Sequence, residues 1–276
     1  MKKFEGILFC TDLDGTLYDD NKNVSRKNLE AIEYFKSEGG TFTFITGRVP
    51  KTSKSICEII KPNAPYGCLG GSGIYDPAAD EFLWRIFLPE QMIDLVRAVD
   101  QQLPEIGIQL NTEKQVYFNK DNPAMVRFRQ RTGLDNVYRP FEEVNEPVLK
   151  VVFAHLEEAQ ILALAELLNN HPNADSVDFI RSELTLYEIL PRGIDKSTAL
   201  HKLAELLEID MNRTIAIGDY YNDLAMLKAA KCGIAVANAA DEVKAVADYV
   251  TVSNNDHAIA AIVDLLDRNQ LPNLPL

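Results

Sequence analysis

Two aspartates, Asp12 and Asp14, stand one residue apart at the end of the apolar run ILFC, residues 7–10. Positions two apart on a strand project from the same face, so the two carboxylates are expected to lie side by side. Ionised carboxylates held this close repel each other unless a cation, a shared proton or solvent offsets their charge. The pair therefore predicts either a functional site with such a partner or an ordinary acidic turn.

The elements that would position this pair alternate between strand and helix. GILFC, TFTFITGR and a third short strand in YGCLGGSGIYD are separated by helical patterns, and the same alternation returns from DKSTALHKLAELLEI to HAIAAIVDLLDR. Unbroken apolar strands separated by helices are typical of a parallel sheet covered on both faces. We therefore predict an α/β fold whose core is a doubly wound, Rossmann-like parallel sheet.

The middle of the chain has a different pattern. Its strands, such as VDFIR and LTLYEIL, are joined by a short polar turn, which is typical of antiparallel pairing. This predicts a core domain formed by residues 1–86 and 190–276, with an α+β domain inserted at 87–189.

Four segments carry the candidate chemistry, and each falls at the carboxyl end of a predicted strand or at the start of the next helix. They are DLDGT from Asp12, TGR from Thr46, the lysine Lys196, and GDYYND from Gly218. Ligands bind at this edge of open parallel sheets. The four segments are therefore expected to converge on one site.

In this order and spacing, the segments resemble the haloacid dehalogenase-like hydrolases, and among these the Cof-type phosphatases, which carry a large α/β cap before the motif lysine. The resemblance implies that Asp12 attacks a phosphoryl group and becomes an aspartyl phosphate. Asp14 would protonate the leaving alcohol and then activate water. Lys196 would offset charge on the nucleophile and on the phosphate. Gly70 stands where the family pattern has asparagine, and we interpret residues 70–73 as a turn.

The resemblance also implies a metal ion, most simply Mg²⁺, which would explain how the carboxylates can sit together. Its ligands would be Asp12, the backbone carbonyl of Asp14, and Asp219. Asp223 would bind the metal directly, bind it through water, or orient Lys196.

Further residues are expected to contact the substrate. The Thr46 hydroxyl and the Gly47 amide would donate to phosphate oxygens, and Leu13 and Asn222 are placed beside them. Arg48 would either reach the substrate or pair with a carboxylate.

Composition limits the class of partner. The formal charge of −13, without a basic run, argues against a nucleic-acid binder. No stretch approaches the roughly 20 apolar residues of a membrane span, and the N-terminal apolar run is too short for a signal peptide. We expect a cytoplasmic monomer or homodimer.

The predicted substrate is a small phosphorylated metabolite, with a sugar phosphate favoured by the resemblance. Two alternatives remain at this point. One is a phosphomutase of the same superfamily, and the other is a metabolite-binding protein that keeps the fold without turnover.

Overall fold

The structure is a computed structural model that describes residues 2–274. The chain forms two compact units. The first unit is discontinuous and comprises Met1–Trp84 and Asp195–Leu276, and the second comprises Arg85–Ile194.

The strands of residues 2–274 are, in chain order, β1 (Leu8–Thr11), β2 (Thr41–Phe44), β3 (Tyr66–Cys68), β4 (Gly73–Asp76), β5 (Glu81–Arg85), β6 (Gly107–Thr112), β7 (Val116–Lys120), β8 (Val148–Ala154), β9 (Val177–Glu183), β10 (Leu186–Pro191), β11 (Thr214–Gly218), β12 (Cys232–Ala235) and β13 (Tyr249–Val250). The α-helices are α1 (Arg26–Ser37), α2 (Pro50–Ile60), α3 (Met92–Gln102), α4 (Pro123–Thr132), α5 (Glu158–Asn169), α6 (Lys196–Leu206), α7 (Leu224–Ala229), α8 (Asp241–Val246) and α9 (Ala258–Asp267). Among the described residues, no helix is both long enough and apolar enough to span a membrane.

The first unit is built on a parallel sheet in the order β13-β12-β11-β1-β2. β1 and β11 are buried at every position, as expected for strands covered on both faces. The chain runs outward from β1 to β2 and, in the opposite direction, from β11 to β12. Because such crossovers are right-handed, the helices of the two halves cover opposite faces. The predicted α/β fold with a parallel core sheet is confirmed.

β1 and β11 are neighbours at the point where the winding direction reverses. Their register pairs Thr11 with Ile217, so both strands end at the same edge of the sheet. This reversal is the place where open α/β sheets form a ligand crevice. The residues that directly follow these two strands are therefore brought together.

The third predicted strand is present as β3, but it meets the parallel sheet through a single parallel bridge rather than a full ladder. β3 pairs with β4 in a separate antiparallel sheet of order β3-β4-β5, and its link to the parallel sheet is an isolated bridge between Ile45 and Gly67. The pairing of β3 with β4 follows from the turn at Leu69–Gly71, where Leu69, Gly70 and Gly71 have φ of 56°, 74° and 113°. This left-handed backbone, which glycine adopts without strain, sends the chain back along β3.

The second unit contains an antiparallel sheet in the order β7-β6-β8-β10-β9. One face of this sheet packs against α3 and α5 in a single apolar core that includes Leu95, Ile108, Val151, Leu164 and Ile189. Each of these positions is completely buried. The apolar side chains alternate along β6, β8 and β10 with residues of the opposite face.

Candidate active site

Asp12 and Asp219 lie at the shared edge of β1 and β11. Asp12 follows the last residue of β1, and its backbone N–H donates to the carbonyl of Ile217 at 2.9 Å. β1 ends at Thr11, so the alternation of a strand does not extend to Asp14, which lies in the following turn. The two aspartates are therefore oriented by a loop and take different partners.

Lys196 joins two of the predicted carboxylates. Its Nζ donates to Asp12 Oδ1 at 2.7 Å and to Asp223 Oδ1 at 2.5 Å. The three residues are 1%, 6% and 0% exposed, respectively. Buried charges persist only when they are paired and hydrogen-bonded, so this is a connected charge network rather than a set of surface contacts.

The position of Lys196 depends on how α6 begins. Asp195 is the N-cap, and its side chain accepts from the backbone N–H groups of Ser197 and Thr198. A capping box with Thr198 completes the end of the helix. Lys196 is thus the first helical residue, with its backbone fixed by the cap.

Gly71, which the sequence placed in a turn, also packs against the start of α6. A Cβ at this position would lie 1.9 Å from the carbonyl oxygen of Asp195. Any side chain here would therefore displace the backbone that carries Lys196. Gly71 therefore supports the position of Lys196, a role that the sequence interpretation missed. The glycine-rich segment around it was the one feature of the sequence that could have indicated this role.

Asp223 uses both carboxylate oxygens inside the network. Oδ1 accepts from Lys196, and Oδ2 accepts from the backbone N–H groups of Asp219 and Tyr220 at 3.0 and 3.1 Å. These bonds link the turn after β11 to the start of α6. Within the described residues, the hydrogen bonds around Lys196 do not include the side chain of Asn222, which is partly exposed.

Asp219 accepts a hydrogen bond from a residue of the loop that follows β1. The Thr16 hydroxyl donates to Asp219 Oδ1 at 2.8 Å. Oδ2 faces Gly15, where a Cβ would come within 2.5 Å of it, and Gly15 has a φ of +83°. Thr16 is a second supporting residue that the sequence interpretation missed.

Replacing Gly15 with alanine is expected to destabilise the protein more than the same change at Gly6. Both glycines have positive φ, but a Cβ at Gly6 meets nothing within 4 Å. The added methyl at Gly15 would push Asp219 away from Thr16, at an additional cost of about 1 kcal/mol for the lost hydrogen bond. Thermal unfolding of Gly15→Ala and Gly6→Ala measures the difference, and equal unfolding temperatures would contradict it.

A pair of asparagines holds the outer side of the same loop. Asn238 Nδ2 donates to the carbonyl of Gly15 at 2.8 Å, and Asn238 Oδ1 accepts from the backbone N–H of Asn254. Asn254 Nδ2 in turn donates to the carbonyl of Tyr18 at 3.0 Å. These residues fix the backbone between Asp14 and Tyr18.

Asp14 is bound by two cations other than Lys196. Arg48 donates from Nε and Nη2 to the two carboxylate oxygens, both at 2.8 Å, and Lys22 Nζ donates at 2.9 Å. Two roles were predicted for Arg48, and in the structure it pairs with a carboxylate, that of Asp14. Burial alone would raise the pKa of Asp14, but Arg48 and Lys22 outweigh it and lower the pKa to about 2. Asp14 is therefore ionised at neutral pH.

The remaining predicted substrate residues lie around this pair. Thr46 is buried after β2, and its Oγ1 accepts from the Arg48 N–H at 3.2 Å. Gly47 is partly exposed, and Leu13 is fully buried. The TGR segment is therefore joined to the DLDGT segment through Arg48.

The carboxylates outnumber the cations at the centre of the site. Burial raises the pKa of Asp12 well above its ordinary value; Lys196 opposes this shift, and Asp223 and Asp219 add to it. Burial and then the charge of Asp223 raise the pKa of Asp219 to about 7. Burial would lower the pKa of Lys196, but Asp12 and Asp223 outweigh it and raise the pKa. A further positive charge would stabilise the ionised carboxylates.

This donor set fits a hard divalent cation. Asp12, Asp219 and Asp223 each offer one carboxylate oxygen within 4.8 Å of the others. Carboxylate oxygens are the ligands that such cations prefer, and a cation would relieve the repulsion that raises the pKa values. The site is therefore able to bind a metal ion.

Comparison with known proteins gives a consistent result. The model of the haloacid dehalogenase-like hydrolase family matches residues 9–263. Two Bacillus subtilis (strain 168) proteins, the 5-amino-6-(5-phospho-D-ribitylamino)uracil phosphatases YitU and YcsE, are 28% and 29% identical over 263 and 262 residues, covering 92% and 93% of this chain and 94% of each relative.

Among solved structures, a haloacid dehalogenase-like hydrolase from Bacteroides thetaiotaomicron matches with a TM-score of 0.83 and 24% identity, covering 94% of this chain and 98% of that one. The family predicted from the four strand-end segments is the family that is matched. Because residues 9–263 include all four segments and nearly the whole chain, the protein belongs to the haloacid dehalogenase-like hydrolases.

Proposed function

We propose that this hydrolase is a Mg²⁺-dependent phosphatase that acts on a small phosphorylated metabolite through an aspartyl-phosphate intermediate on Asp12. The observation that carries the proposal is the buried network in which Lys196 bridges Asp12 and Asp223. Lys196 holds Asp12 Oδ1, and we assign the attack to the other oxygen, Oδ2. The phosphatase names of relatives aligned over most of the chain support the proposed phosphatase activity.

In the first step, Asp12 Oδ2 forms a bond to phosphorus while the bond from phosphorus to the leaving oxygen breaks. The leaving alkoxide takes a proton from Asp14. In the second step, the ionised Asp14 removes a proton from water, which attacks the phosphorus and releases inorganic phosphate and free Asp12. Asp14 is thereby protonated again for the next cycle.

The acid step needs a protonated Asp14, whereas the bonds to Arg48 and Lys22 favour the ionised form. We infer that the phosphate of the substrate competes for the guanidinium of Arg48. Burial alone raises the pKa of Asp14, so loss of Arg48 as a partner would favour its protonated form. Arg48 would then serve both substrate binding and the protonation of Asp14.

Asp12, the backbone carbonyl of Asp14, and Asp219 are the residues that we propose to hold Mg²⁺. The ion supplies charge that orients the phosphate and stabilises its oxygens during transfer. Both oxygens of Asp223 are already hydrogen-bonded, which favours its role in orienting Lys196 and the turn after β11 over direct metal binding. Lys196 places a second positive charge beside the nucleophile.

The phosphate group is expected to meet donors from two segments. We propose the Thr46 hydroxyl and the backbone N–H groups of Gly47 and Leu13 as these donors, with Asn222 at the periphery. Preorganised donors of this kind stabilise the charge of phosphoryl transfer without reorganising during the reaction.

For the substrate, we propose a phosphate ester of a hydroxylated carbon chain, with sugar phosphates first. The names of YitU and YcsE describe a phosphate on a ribityl group, which belongs to this class. We further propose that the inserted domain, predicted at 87–189, serves as the cap that determines which ester is accepted.

The direct test is phosphate release from a panel of sugar phosphates, nucleotides, flavin mononucleotide and pyridoxal phosphate, with Mg²⁺ and with a chelator. We expect Mg²⁺-dependent release that the chelator abolishes and added Mg²⁺ restores. Release that persists in chelator would contradict the metal assignment, and no release from any ester would contradict the proposed activity.

Asp219→Ala is expected to raise the Mg²⁺ concentration for half-maximal activity by at least about tenfold, because it removes one proposed ligand. A Mg²⁺ titration of phosphate release measures this shift. The control is Asp241→Ala, since the Asp241 side chain is 98% exposed and lies outside the site. An unchanged titration in Asp219→Ala would show that Asp219 is not a ligand.

A further inference from the structure

Tyr18 lies two residues beyond the DLDGT segment, and its ring faces Arg48. The Cζ atom of Arg48 lies 5.1 Å from the centroid of the Tyr18 ring. A guanidinium within about 6 Å of a ring centroid is attracted by the negative face of the ring. Arg48 therefore has an aromatic partner in addition to the carboxylate of Asp14.

The ring of Tyr18 acts on Arg48 as a neutral group. Burial raises the pKa of the Tyr18 hydroxyl above its ordinary value, so the phenol is not ionised at neutral pH. The contact is therefore a cation–π interaction rather than an ion pair. Such contacts are stronger when they are removed from water, and Tyr18 is only 5% exposed.

Arg48 uses different interactions for its two partners. Its bonds to Asp14 run from Nε and Nη2 to the two carboxylate oxygens, and hydrogen bonds of this kind depend on direction. The attraction to the Tyr18 ring depends instead on where the positive charge of the guanidinium lies. Arg48 can therefore exchange its hydrogen-bond partner while its charge stays on the ring.

Tyr18 is itself fixed in place. Its backbone N–H donates to the carbonyl of Leu13 at 2.9 Å, and its carbonyl accepts from Asn254 Nδ2 at 3.0 Å. Asn254 is 4% exposed, so this support is also buried. The ring of Tyr18 is thus a rigid surface for the guanidinium.

The two cations of Asp14 differ in how firmly they are held. The side chain of Lys22 is 48% exposed, whereas that of Arg48 is 17% exposed. A long exposed side chain loses conformational freedom when it is fixed, and this loss opposes binding. Because Arg48 is already buried against a ring, it is the cation of the two that is preorganised for a second anion.

We propose that Tyr18 is a positioning residue that holds the Arg48 guanidinium in place for the phosphate of the substrate. This inference rests on the proposed phosphatase function, in which the phosphate competes with Asp14 for Arg48. Tyr18 acts through Arg48 and does not contact the reacting atoms.

The test is a double-mutant cycle on the binding of inorganic phosphate to the full-length protein with Mg²⁺, measured by calorimetry. We expect Tyr18→Leu to raise the Kd for phosphate about fivefold, because it removes the cation–π contact. Arg48→Met should raise the Kd by about tenfold or more, since it removes a charged donor. In the Arg48→Met background, Tyr18→Leu should add less than about a twofold change.

The cycle separates positioning from structural damage, because damage at Tyr18 would weaken phosphate binding equally in both backgrounds. Tyr18→Phe keeps the ring and is expected to bind phosphate within about twofold of wild type. The matched control is Tyr34→Leu, the same change at a tyrosine of α1 that is 41% exposed, and it should behave as wild type. Equal weakening in Tyr18→Phe and Tyr18→Leu would overturn the inference, and so would independent effects in the cycle.

Steady-state kinetics with a sugar phosphate distinguish this inference from the proposed function. Tyr18→Leu should raise KM about fivefold while kcat stays within about twofold, because the contact is kept before and during the transfer. Normal hydrolysis with an unchanged KM and an unchanged Kd for phosphate would overturn the role of Tyr18 and leave the phosphatase function standing. If no ester is hydrolysed, the proposed function fails, and the phosphate titrations still decide whether Tyr18 acts through Arg48.

Thermal unfolding of each variant shows whether it is folded. If Tyr18→Leu does not fold, Tyr18→Met takes its place in the cycle, because the flexible methionine side chain fills irregular space without offering an aromatic face. The same dependence on Arg48 is expected. A folded Tyr18→Met that binds phosphate as wild type does would overturn the inference.

Discussion

Asp12→Asn is expected to abolish phosphate release, with kcat at least about 10⁴-fold below wild type, while the protein remains folded. An amide oxygen is a poor nucleophile, and no neighbouring carboxylate can replace Asp12, because both oxygens of Asp223 are hydrogen-bonded and Asp219 is held by Thr16. Stability should not fall, because burial and the charges of Asp223 and Asp219 already disfavour the ionised Asp12. Lys196 keeps its bond to Asp223.

Phosphate release and thermal unfolding, measured on the same preparation, test both parts of this prediction. The control, Asp241→Asn, makes the same chemical change at an exposed aspartate of α8 and should behave as wild type. Substantial turnover in Asp12→Asn would assign the nucleophile to another residue. A loss of activity that coincides with unfolding would instead mark Asp12 as structural.

Lys196→Met is expected to lower kcat by about 10²- to 10³-fold, the usual effect of removing one preorganised charge from a transition state. It also leaves Asp12 and Asp223 without their shared cation, which should destabilise the protein by about 3–5 kcal/mol at neutral pH. Because Lys196 lowers the pKa of Asp12, its loss raises that pKa further. The ionised nucleophile then becomes available only at higher pH, so residual activity should increase as the pH rises.

The measurement is kcat against pH for wild type and variant, together with chemical unfolding at neutral pH. Lys202→Met is the matched control: it lies on the same helix and removes a lysine that pairs with Glu205 at 2.9 Å near the surface. This variant should keep the wild-type pH profile. A Lys196→Met profile parallel to that of wild type would show that Lys196 does not act on the ionisation of Asp12.

Several features of the site could be predicted because they depend on local pattern. Apolar strands that alternate with helices predict a parallel sheet, and parallel strands end at one edge, so Asp12 and Asp219 were expected to meet there. Lys196 was expected at a helix start, which the Asp195 cap provides. Each of these inferences needs only the periodicity of apolar residues along the chain and the chemistry of the residues at the ends of the predicted strands and helices.

Other features arise only from contacts between distant segments. Gly71 was interpreted as a turn residue, but its contact with the Asp195 carbonyl joins positions separated by the whole inserted unit. Lys22 and Thr16 carry no motif, yet they bind Asp14 and Asp219. β3 pairs with β4 because three consecutive residues of left-handed backbone, Leu69, Gly70 and Gly71, turn the chain, and the backbone angles of a glycine cannot be inferred from its identity.

By itself, the sequence determined the fold class, the family and the motif residues Asp12, Asp14, Lys196, Asp219 and Asp223, because periodicity and motif spacing are properties of the chain. Only the tertiary structure decided which cation serves which carboxylate: Lys196 binds Asp12 and Asp223, whereas Arg48 and Lys22 bind Asp14. Charge pairing depends on distances of a few ångströms between segments far apart in sequence, and packing of the whole domain sets those distances.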